Sequence, residues 1–200
     1  MRPLMIRTQA SDLAAASCLS LMRAGEQSAA QGFARIIRRL TAAESAHASP
    51  AVTEMIADEE RHDVLLSICS GVLPAVAADT GARCFFRRLE TRDPGVHLAR
   101  ISALDACSCQ LLSRMLGPEP RGSLSASLIL TLTSIRRDEG AHVRTTKRLA
   151  LELGVDAGQL REITQSVRHS FAALLKTRAM HFEALGVNSA VMIRCIERDG

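Results

Sequence analysis

The chain has 200 residues and a mass of 21.6 kDa, which suits one domain with a sizeable core. Hydrophobic residues make up 47% and charged residues 23%, with a formal charge of +4, and this balance excludes a disordered chain. Five Phe, no Tyr and no Trp leave a core of Ala, Leu, Ile, Val and Met, which favours helices over sheets.

Apolar residues at three- and four-residue spacing predict helices along the whole chain, and alternating β-branched runs are missing. The first helix is expected to begin near Ser11, a suitable N-cap, and to fade before Pro50. Pro50 marks the predicted start of a second helix over about 50–72, which Gly71 and Pro74 end.

A long connection follows the second helix, with helix-breaking residues at both ends. A short helix is predicted inside it, around Cys84–Leu89. Adjacent antiparallel helices are seldom joined by so long a segment. The segment therefore predicts a crossover that carries the chain from one end of a helical bundle to the other.

The rest of the chain is also predicted to be helical. A third helix over about 94–116 stops at the break formed by residues 117–120, and a fourth runs over about Ser123–Leu153. A fifth helix over about 156–185 and a closing segment from Asn188 to Glu197 follow. The sequence thus predicts an all-α protein, a four-helix bundle with a C-terminal helical extension.

The pattern Asp-Glu-x-x-His occurs twice, at 58–62 and at 138–142. Residues i and i+3 lie on one face of an α-helix, so each copy can offer a carboxylate and an imidazole to one point. A Glu-x-x-His pair is weak evidence when it stands alone. Glu44 and His47 have the same spacing near a predicted helix end, where a solvated pair is expected.

A single acidic residue precedes each copy within an apolar helix. The interval is 33 residues from Glu26 to Glu59 and 34 residues from Asp105 to Glu139. An antiparallel hairpin of this length returns to the same height, because an α-helix rises 1.5 Å per residue. Each of these residues alone is better explained as a tolerated helix charge or a surface ion pair. Together, the matched intervals predict a dinuclear metal site of four carboxylates and two imidazoles.

These residues resemble the ferritin-like di-iron carboxylate superfamily, in which two helices each supply a Glu and two others each supply Glu-x-x-His. The resemblance covers about 10–153. The C-terminal helices at about 156–198 are expected to extend this bundle, and residues 1–200 are expected to form one domain. Asp105 stands where Glu is usual, and its shorter side chain would bind one iron through one oxygen or through water, which leaves the bridging role to Glu59 and Glu139. The implied iron ligands are Glu26, Glu59, His62, Asp105, Glu139 and His142.

Asp58 and Asp138 are the first residues of the two copies, and each precedes a proposed ligand by one position. A ligating His commonly donates its other ring N–H to a carboxylate, which fixes its orientation. We expect Asp58 to accept from His142, and Asp138 from His62, as similar residues do in bacterial multicomponent monooxygenases and ribonucleotide reductase small subunits. His169 and His181 have no carboxylate at ligand spacing, and are expected to be ordinary helix residues.

A carboxylate-rich site with two imidazoles suits two Fe ions, with Mn or a mixed Mn/Fe pair as alternatives. The resemblance implies a non-haem di-iron oxidoreductase that uses O2 and an external electron donor to oxidise or hydroxylate a small organic substrate in a bundle cavity. A ferroxidase or peroxidase of the ferritin–rubrerythrin type stays open, as do a tRNA-modifying hydroxylase and a non-catalytic bundle, both with lower weight. The absence of Tyr disfavours a tyrosyl-radical role, and the absence of a Cys-x-x-Cys pair disfavours a rubredoxin-linked one.

Charge and targeting signals limit the expected partners and compartment. Arginine clusters such as Arg87–Arg88 lack interleaved aromatic residues and are expected to be solvated helix faces, so nucleic acid is not expected as a partner. No apolar run is long enough for a membrane span or a signal peptide, which predicts a cytoplasmic protein. The six cysteines are expected to be reduced core thiols. A homodimer stays open.

Overall fold

The computed structural model describes residues 2–121 and 124–198, with side chains for 10–118, 120 and 124–198. The described residues form helices and turns and contain no strand, which confirms the predicted all-α class. The helices are α1 (Arg2–Ile37), α2 (Ala42–Ser70), α3 (Thr80–Leu89), α4 (Pro94–Met115), α5 (Pro118–Arg121), α6 (Ala126–Glu152), α7 (Ala157–Lys176), α8 (Ala179–Ala184) and α9 (Ser189–Glu197).

Side-chain caps determine where most of these helices begin. The oxygen of each capping side chain accepts a hydrogen bond from a backbone N–H of the first turn, which would otherwise have no partner. At α2 the cap is reciprocal, because the Glu44 carboxylate also accepts from the backbone N–H of Thr41 at 2.7 Å. The capping residues are Thr41 for α2, Asp79 for α3, Asp93 for α4, Ser125 for α6, Asp156 for α7 and Asn188 for α9.

Two predicted helix starts were wrong. The first helix begins at Arg2 instead of Ser11, because Pro3 lies in the first turn, where its missing N–H costs no hydrogen bond. The second helix begins at Ala42 instead of Pro50, because the Thr41 cap starts the helix early and Pro50 is accommodated inside it.

Other predicted boundaries agree more closely with the structure. Gly71 caps α2, and the third predicted helix is α4. The crossover helix, α3, is longer than predicted because Asp79 caps it. The predicted start of the fourth helix, Ser123, lies outside the described residues, and α6 begins at Ala126. The predicted fifth helix is interrupted at Thr177 and Arg178, which divides it into α7 and α8.

Four helices contact one another in a ring: α1 packs on α2, α2 on α6, α6 on α4, and α4 on α1. Pairs along α2 and α6 run in opposite directions, since Cys69 lies beside Thr131 and His47 beside Glu152. α4 and α6 also run in opposite directions. Ser102 donates to the Val143 carbonyl, whereas Cys109, later in α4, donates to the carbonyl of Arg136, earlier in α6. Both helix pairs are therefore antiparallel.

The remaining helices cover this ring. α7 packs on α4, α9 packs on α7 and α4, and α8 packs on α1. α3 lies between α1 and α7, and ion pairs hold both of its ends: Asp79 pairs with Arg178, and Glu90 with Arg35 at 2.7 Å. α3 is thus held against the side of the ring.

The buried apolar residues form two separate clusters. One contains Leu19, Leu66 and Leu112, and the other contains Phe33 and Leu149. Along α1, α2 and α6, the buried polar residues lie between the stretches that feed the two clusters. A polar layer therefore divides the apolar core.

None of the described helices has the length and hydropathy that a membrane-spanning helix requires. All six cysteines are free thiols, as expected, and Cys18, Cys69 and Cys107 are buried.

Pro50 lies inside α2, where it removes the N–H that would bond to the carbonyl four residues earlier. We expect Pro50→Ala to raise the free energy of unfolding by about 2 kcal/mol, because an interior Pro costs about 3 kcal/mol and the more flexible unfolded chain offsets about 1 kcal/mol of the gain. Urea denaturation followed by circular dichroism measures the change. Pro94→Ala is the control, since Pro94 occupies the first turn of α4, and equal gains in both variants would contradict the expectation.

Candidate metal centre

The polar layer between the two apolar clusters contains acidic and histidine side chains from all four helices of the ring. α1 and α4 supply one carboxylate each, and α2 and α6 each supply a glutamate and a histidine. Each of these residues is at most 8% exposed. The structure brings together all six residues that the sequence predicts as ligands: Glu26, Glu59, His62, Asp105, Glu139 and His142.

The ligand atoms form two overlapping groups, and within each group they lie within 4.8 Å of one another. The first group is Glu26, Glu59, His62 and Glu139, and the second is Asp105, Glu139 and His142. Glu139 belongs to both groups, and Glu59 Oε1 lies 3.1 Å from His142 Nδ1. Each group can hold a metal ion, and the two glutamates of the Asp-Glu-x-x-His copies lie between the two positions.

The two histidines of the layer each contact an aspartate on the other hairpin. His142 Nε2 lies 3.2 Å from Asp58 Oδ2, and His62 Nε2 lies 3.3 Å from Asp138 Oδ2. Because an ionised carboxylate accepts, each Nε2 donates its N–H to the aspartate, and each Nδ1 faces the glutamates of the layer. His62 Nδ1 lies 3.2 Å from Glu26 Oε2. These are the pairs expected from the sequence; their role in orienting metal ligands stays a prediction.

Arg61 connects the two orienting aspartates. Its Nη1 lies 2.7 Å from Asp58 Oδ1, and its Nη2 lies 3.0 Å from Asp138 Oδ2. Arg137 adds a contact of 3.0 Å to Asp138. Hydrogen bonds from His62 and Arg137 outweigh the effect of burial, which acts in the other direction, and hold the pKa of Asp138 below its ordinary value. Arg61 therefore links the two aspartates across α2 and α6 by ion pairs.

The sequence places Arg61 toward solvent or the helix flank and does not predict this bridge. Its side chain is half-exposed, yet it spans two helices. The spacing of Asp58 and Arg61 by three residues was the available signal, because such pairs meet on one helix face. The contact with Asp138 needs the tertiary structure.

Burial of four carboxylates in one layer changes their acidity. Desolvation, together with repulsion from neighbouring carboxylates, raises the pKa of Glu26, Glu59 and Glu139 to about 8 and that of Asp105 well above its ordinary value. Burial alone would lower the pKa of His142, but Glu59 and Glu139 beside it raise it to about 9. Without a cation the layer must therefore retain protons, which a divalent metal ion would replace.

Three buried atoms in the layer lack a hydrogen-bond partner: Glu59 Oε1, Asp105 Oδ2 and His142 Nδ1. Glu59 Oε1 and His142 Nδ1 are only 3.1 Å apart but do not form an aligned hydrogen bond. Buried polar atoms are normally paired. Three unpaired atoms from α2, α4 and α6 in one layer fit a cation between them, and a set of carboxylates with two imidazoles suits iron or manganese.

A cavity of about 50 Å³ lies beside the carboxylates. Its apolar walls include Phe86 from α3 and Phe171 from α7. Phe86 approaches closely because residue 25 is Gly: a Cβ there would lie 3.2 Å from the Phe86 ring. The cavity has room for O2 or a few water molecules and is far below the 300–1,000 Å³ of organic-ligand pockets. The predicted space for an organic substrate beside the metal ligands is therefore not present in this conformation.

The third Glu-x-x-His match has a different role, as expected. Glu44 caps α2, and His47 is exposed and pairs with Glu152 at 2.9 Å. Neither belongs to the metal-binding groups found among the described residues, and neither do His169 and His181. A Glu and a His three residues apart on a helix are thus not sufficient to build a site.

The raised pKa values predict that the metal-free protein loses stability as the pH rises. Glu26, Glu59 and Glu139 titrate near 8 in the folded protein and near 4.5 in the unfolded chain. Between these values the folded protein binds more protons than the unfolded chain. The contribution of these three glutamates to stability is therefore full below pH 4.5 and is lost as the pH rises through 8. Thermal unfolding of metal-free protein across this range measures the slope.

Glu26→Gln should reduce this slope, and Glu60→Gln is the matched control, because Glu60 is exposed on α2. A metal-free protein whose stability is constant or increases over the same pH range would contradict the expected proton uptake.

Loss of an orienting aspartate is expected to weaken metal binding. Asp138→Asn removes the carboxylate that accepts from His62, and such partners typically contribute 10- to 100-fold to metal affinity. Mn(II) titration of metal-free protein measures the loss. Asp63→Asn is the control, since Asp63 follows His62 on α2 but pairs with Arg23 on α1. Equal affinities in Asp138→Asn and the wild type would exclude the orienting role.

Comparison of the chain with protein-family models, with curated proteins and with solved structures gives no significant match. The interpretation of the site therefore depends on the geometry of its own residues. The described residues form a helical protein with a buried cluster of carboxylates and histidines that can hold metal ions.

Proposed function

We propose that α1, α2, α4 and α6 form a ferritin-like four-helix bundle. The closed ring of contacts and the antiparallel packing of α2 with α6 and of α4 with α6 support it. The long segment that contains α3 joins α2 to α4, as a crossover between the two hairpins requires. The helices after α6 are additions to this bundle.

The polar layer is proposed to be a dinuclear metal centre. Glu26 and His62 hold one ion, Asp105 and His142 hold the other, and Glu59 and Glu139 lie between them. The observation that carries the proposal is that Glu139 belongs to both ligand groups while inward-facing atoms of the layer are unpaired. Two Fe ions are the proposed cofactors, and Mn or a mixed Mn/Fe pair satisfies the same ligands.

The proposed activity is that of a non-haem di-iron oxidoreductase which activates O2 and takes electrons from an external donor. The bound metal pair would supply the redox chemistry. The protein's own contribution is ligation, orientation and the exclusion of water. The two apolar clusters on either side of the layer keep it dry, and the small cavity admits a molecule of the size of O2.

The residues around the layer control its protons. Asp58 and Asp138 retain the Nε2 protons of the two histidines, so that each Nδ1 faces the metal position. The buried carboxylates release their protons when a cation binds, because the cation replaces the proton as the compensating charge. Arg61 balances the two aspartates without entering the layer.

A ferroxidase is the second candidate, and the size of the cavity favours it. A ferroxidase needs only Fe(II) and O2 in the site, and about 50 Å³ is enough for O2. An oxygenase also needs an organic substrate close to the metal ions. Stopped-flow absorbance after mixing Fe(II)-loaded protein with O2 separates the two, because repeated O2-dependent turnover of added Fe(II) without any organic substrate identifies a ferroxidase.

Anaerobic loading with Fe(II) should give about two Fe per chain. His62→Ala and His142→Ala should each reduce this number, because each removes the imidazole of one position. His47→Ala is the matched control, since it removes the histidine of the exposed Glu-x-x-His pair. Iron analysis after gel filtration measures the stoichiometry. Wild-type iron near zero, or an equal loss in His47→Ala, would refute the proposed centre.

A further inference from the structure

A cleft of about 740 Å³ lies between α3 and α7, outside the four-helix ring. This volume is within the range of organic-ligand pockets. Its floor is apolar and includes Phe85 and Leu89 of α3 with Ile163, Val167 and Leu174 of α7. The cleft can therefore bury the apolar part of an organic molecule.

Charged side chains lie at the edge of the same cleft. Arg88 and Arg100 supply two positive charges, and Glu162 supplies one negative charge. Arg100 uses Nη1 to cap α3, donating to the carbonyls of Leu89 at 3.1 Å and Glu90 at 3.3 Å. Within the described chain, no hydrogen bond or ion pair engages the exposed guanidinium of Arg88. It is therefore the cation that can receive a ligand.

Three phenyl rings separate this cleft from the metal-side cavity. Phe85 lines the cleft, whereas Phe86 and Phe171 line the cavity of about 50 Å³. The ring of Phe85 lies 5.1 Å from that of Phe86 and 5.7 Å from that of Phe171, measured between centroids. One layer of aromatic side chains, named here the phenyl wall, thus has the cleft on one side and the candidate metal centre on the other.

A second groove also reaches Phe86, on the α1 side of α3. Its lining is mainly polar, with Gln27 and Gln31 of α1 and Arg83 and Arg87 of α3, and Phe86 is its large apolar side chain. Because it lacks an apolar floor, it is less suited to an organic ligand, and its arginines offer a control for those of the cleft.

We propose that the cleft between α3 and α7 binds a small organic carboxylate with an apolar body, and that this molecule reaches the candidate metal centre when the phenyl wall opens, because the closed cavity of about 50 Å³ is too small for it. Arg88 binds the carboxylate, and the floor of Phe85, Val167 and Leu174 holds the apolar body. Glu162 in the same cleft opposes a dianion, which favours a monoanionic carboxylate over a phosphate. The passage through the wall rests on the proposed metal centre, whereas binding in the cleft does not.

Binding in the cleft is tested with metal-free protein and 2-naphthoate, a fluorescent carboxylate. The chain has no Trp and no Tyr, so the protein contributes little emission. Saturable binding is expected in the wild type and should be about tenfold weaker in Arg88→Met, because a charge-assisted contact is lost. Arg87→Met is the matched control, because it removes the same charge from the preceding residue of α3, which lines the other groove. This variant should bind 2-naphthoate like the wild type.

Two further measurements test where the ligand binds and whether its carboxylate is required. Ser170→Phe should block the cleft and abolish binding without adding a strongly emitting residue, because Ser170 is an exposed residue of its lining. The uncharged 2-naphthamide should bind about tenfold more weakly than 2-naphthoate. Absence of saturable 2-naphthoate binding, equal losses in the two arginine variants, or tighter binding of 1-naphthyl phosphate would each overturn the proposed carboxylate site.

The role of the phenyl wall is tested with Co(II)-loaded protein. In the wild type, 2-naphthoate should leave the visible Co(II) spectrum nearly unchanged at first, and in Phe86→Ala it should change the spectrum at once, since the wall is open. Phe86→Leu provides a milder opening if the alanine variant does not fold. An unchanged spectrum in a folded variant that still binds 2-naphthoate would overturn the passage. Failure of Co(II) to bind would instead refute the metal centre, and the passage with it, while the fluorescence titration independently decides on the cleft.

Discussion

The burial of four carboxylates in one layer of the core is the constraint on which the rest of the structure depends. Isolated buried charges are too costly to persist, so each must be neutralised, paired or bound to a cation. The raised pKa values of the glutamates and the two histidines beside them supply part of this compensation, and three polar atoms of the layer are left without a partner. The apolar clusters above and below the layer increase this cost, and they also give the site its low polarity. Stability and the capacity for metal binding therefore have the same origin.

The outer surroundings of the layer follow from the same constraint. A histidine can serve an inner cation only when its outer nitrogen keeps a proton, and the aspartates one position before the glutamates hold that proton. Those aspartates are themselves negative, and Arg61 balances both. Acidic and basic groups thus alternate outward, from buried carboxylates to imidazoles, to partly buried aspartates, and finally to a half-exposed guanidinium.

The sequence predicted the parts of the site that depend on local geometry. Spacing by three residues and hairpins of equal length are properties of single helices and their turns, so the meeting of Glu26 with His62 and of Asp105 with Glu139 could be anticipated. Helix starts were less predictable where a cap competed with a proline, as at Thr41 and Pro50. The phenyl wall joins residues 85, 86 and 171, and no local pattern relates α3 to α7. The small cavity was likewise unpredictable, because its volume depends on how Phe86 packs against Gly25.

The crossed contacts of the histidines have a consequence for cooperativity. The aspartate that orients His142 is on α2, and the aspartate that orients His62 is on α6, so neither hairpin contains a complete half of the site. An ion that fixes His62 also fixes Asp138 and, through Arg61, Asp58, and this prepares His142 for a second ion. Since such coupling is reciprocal, either ion must favour the other by the same factor. In the proposed centre, filling of one position would thus favour filling of the other.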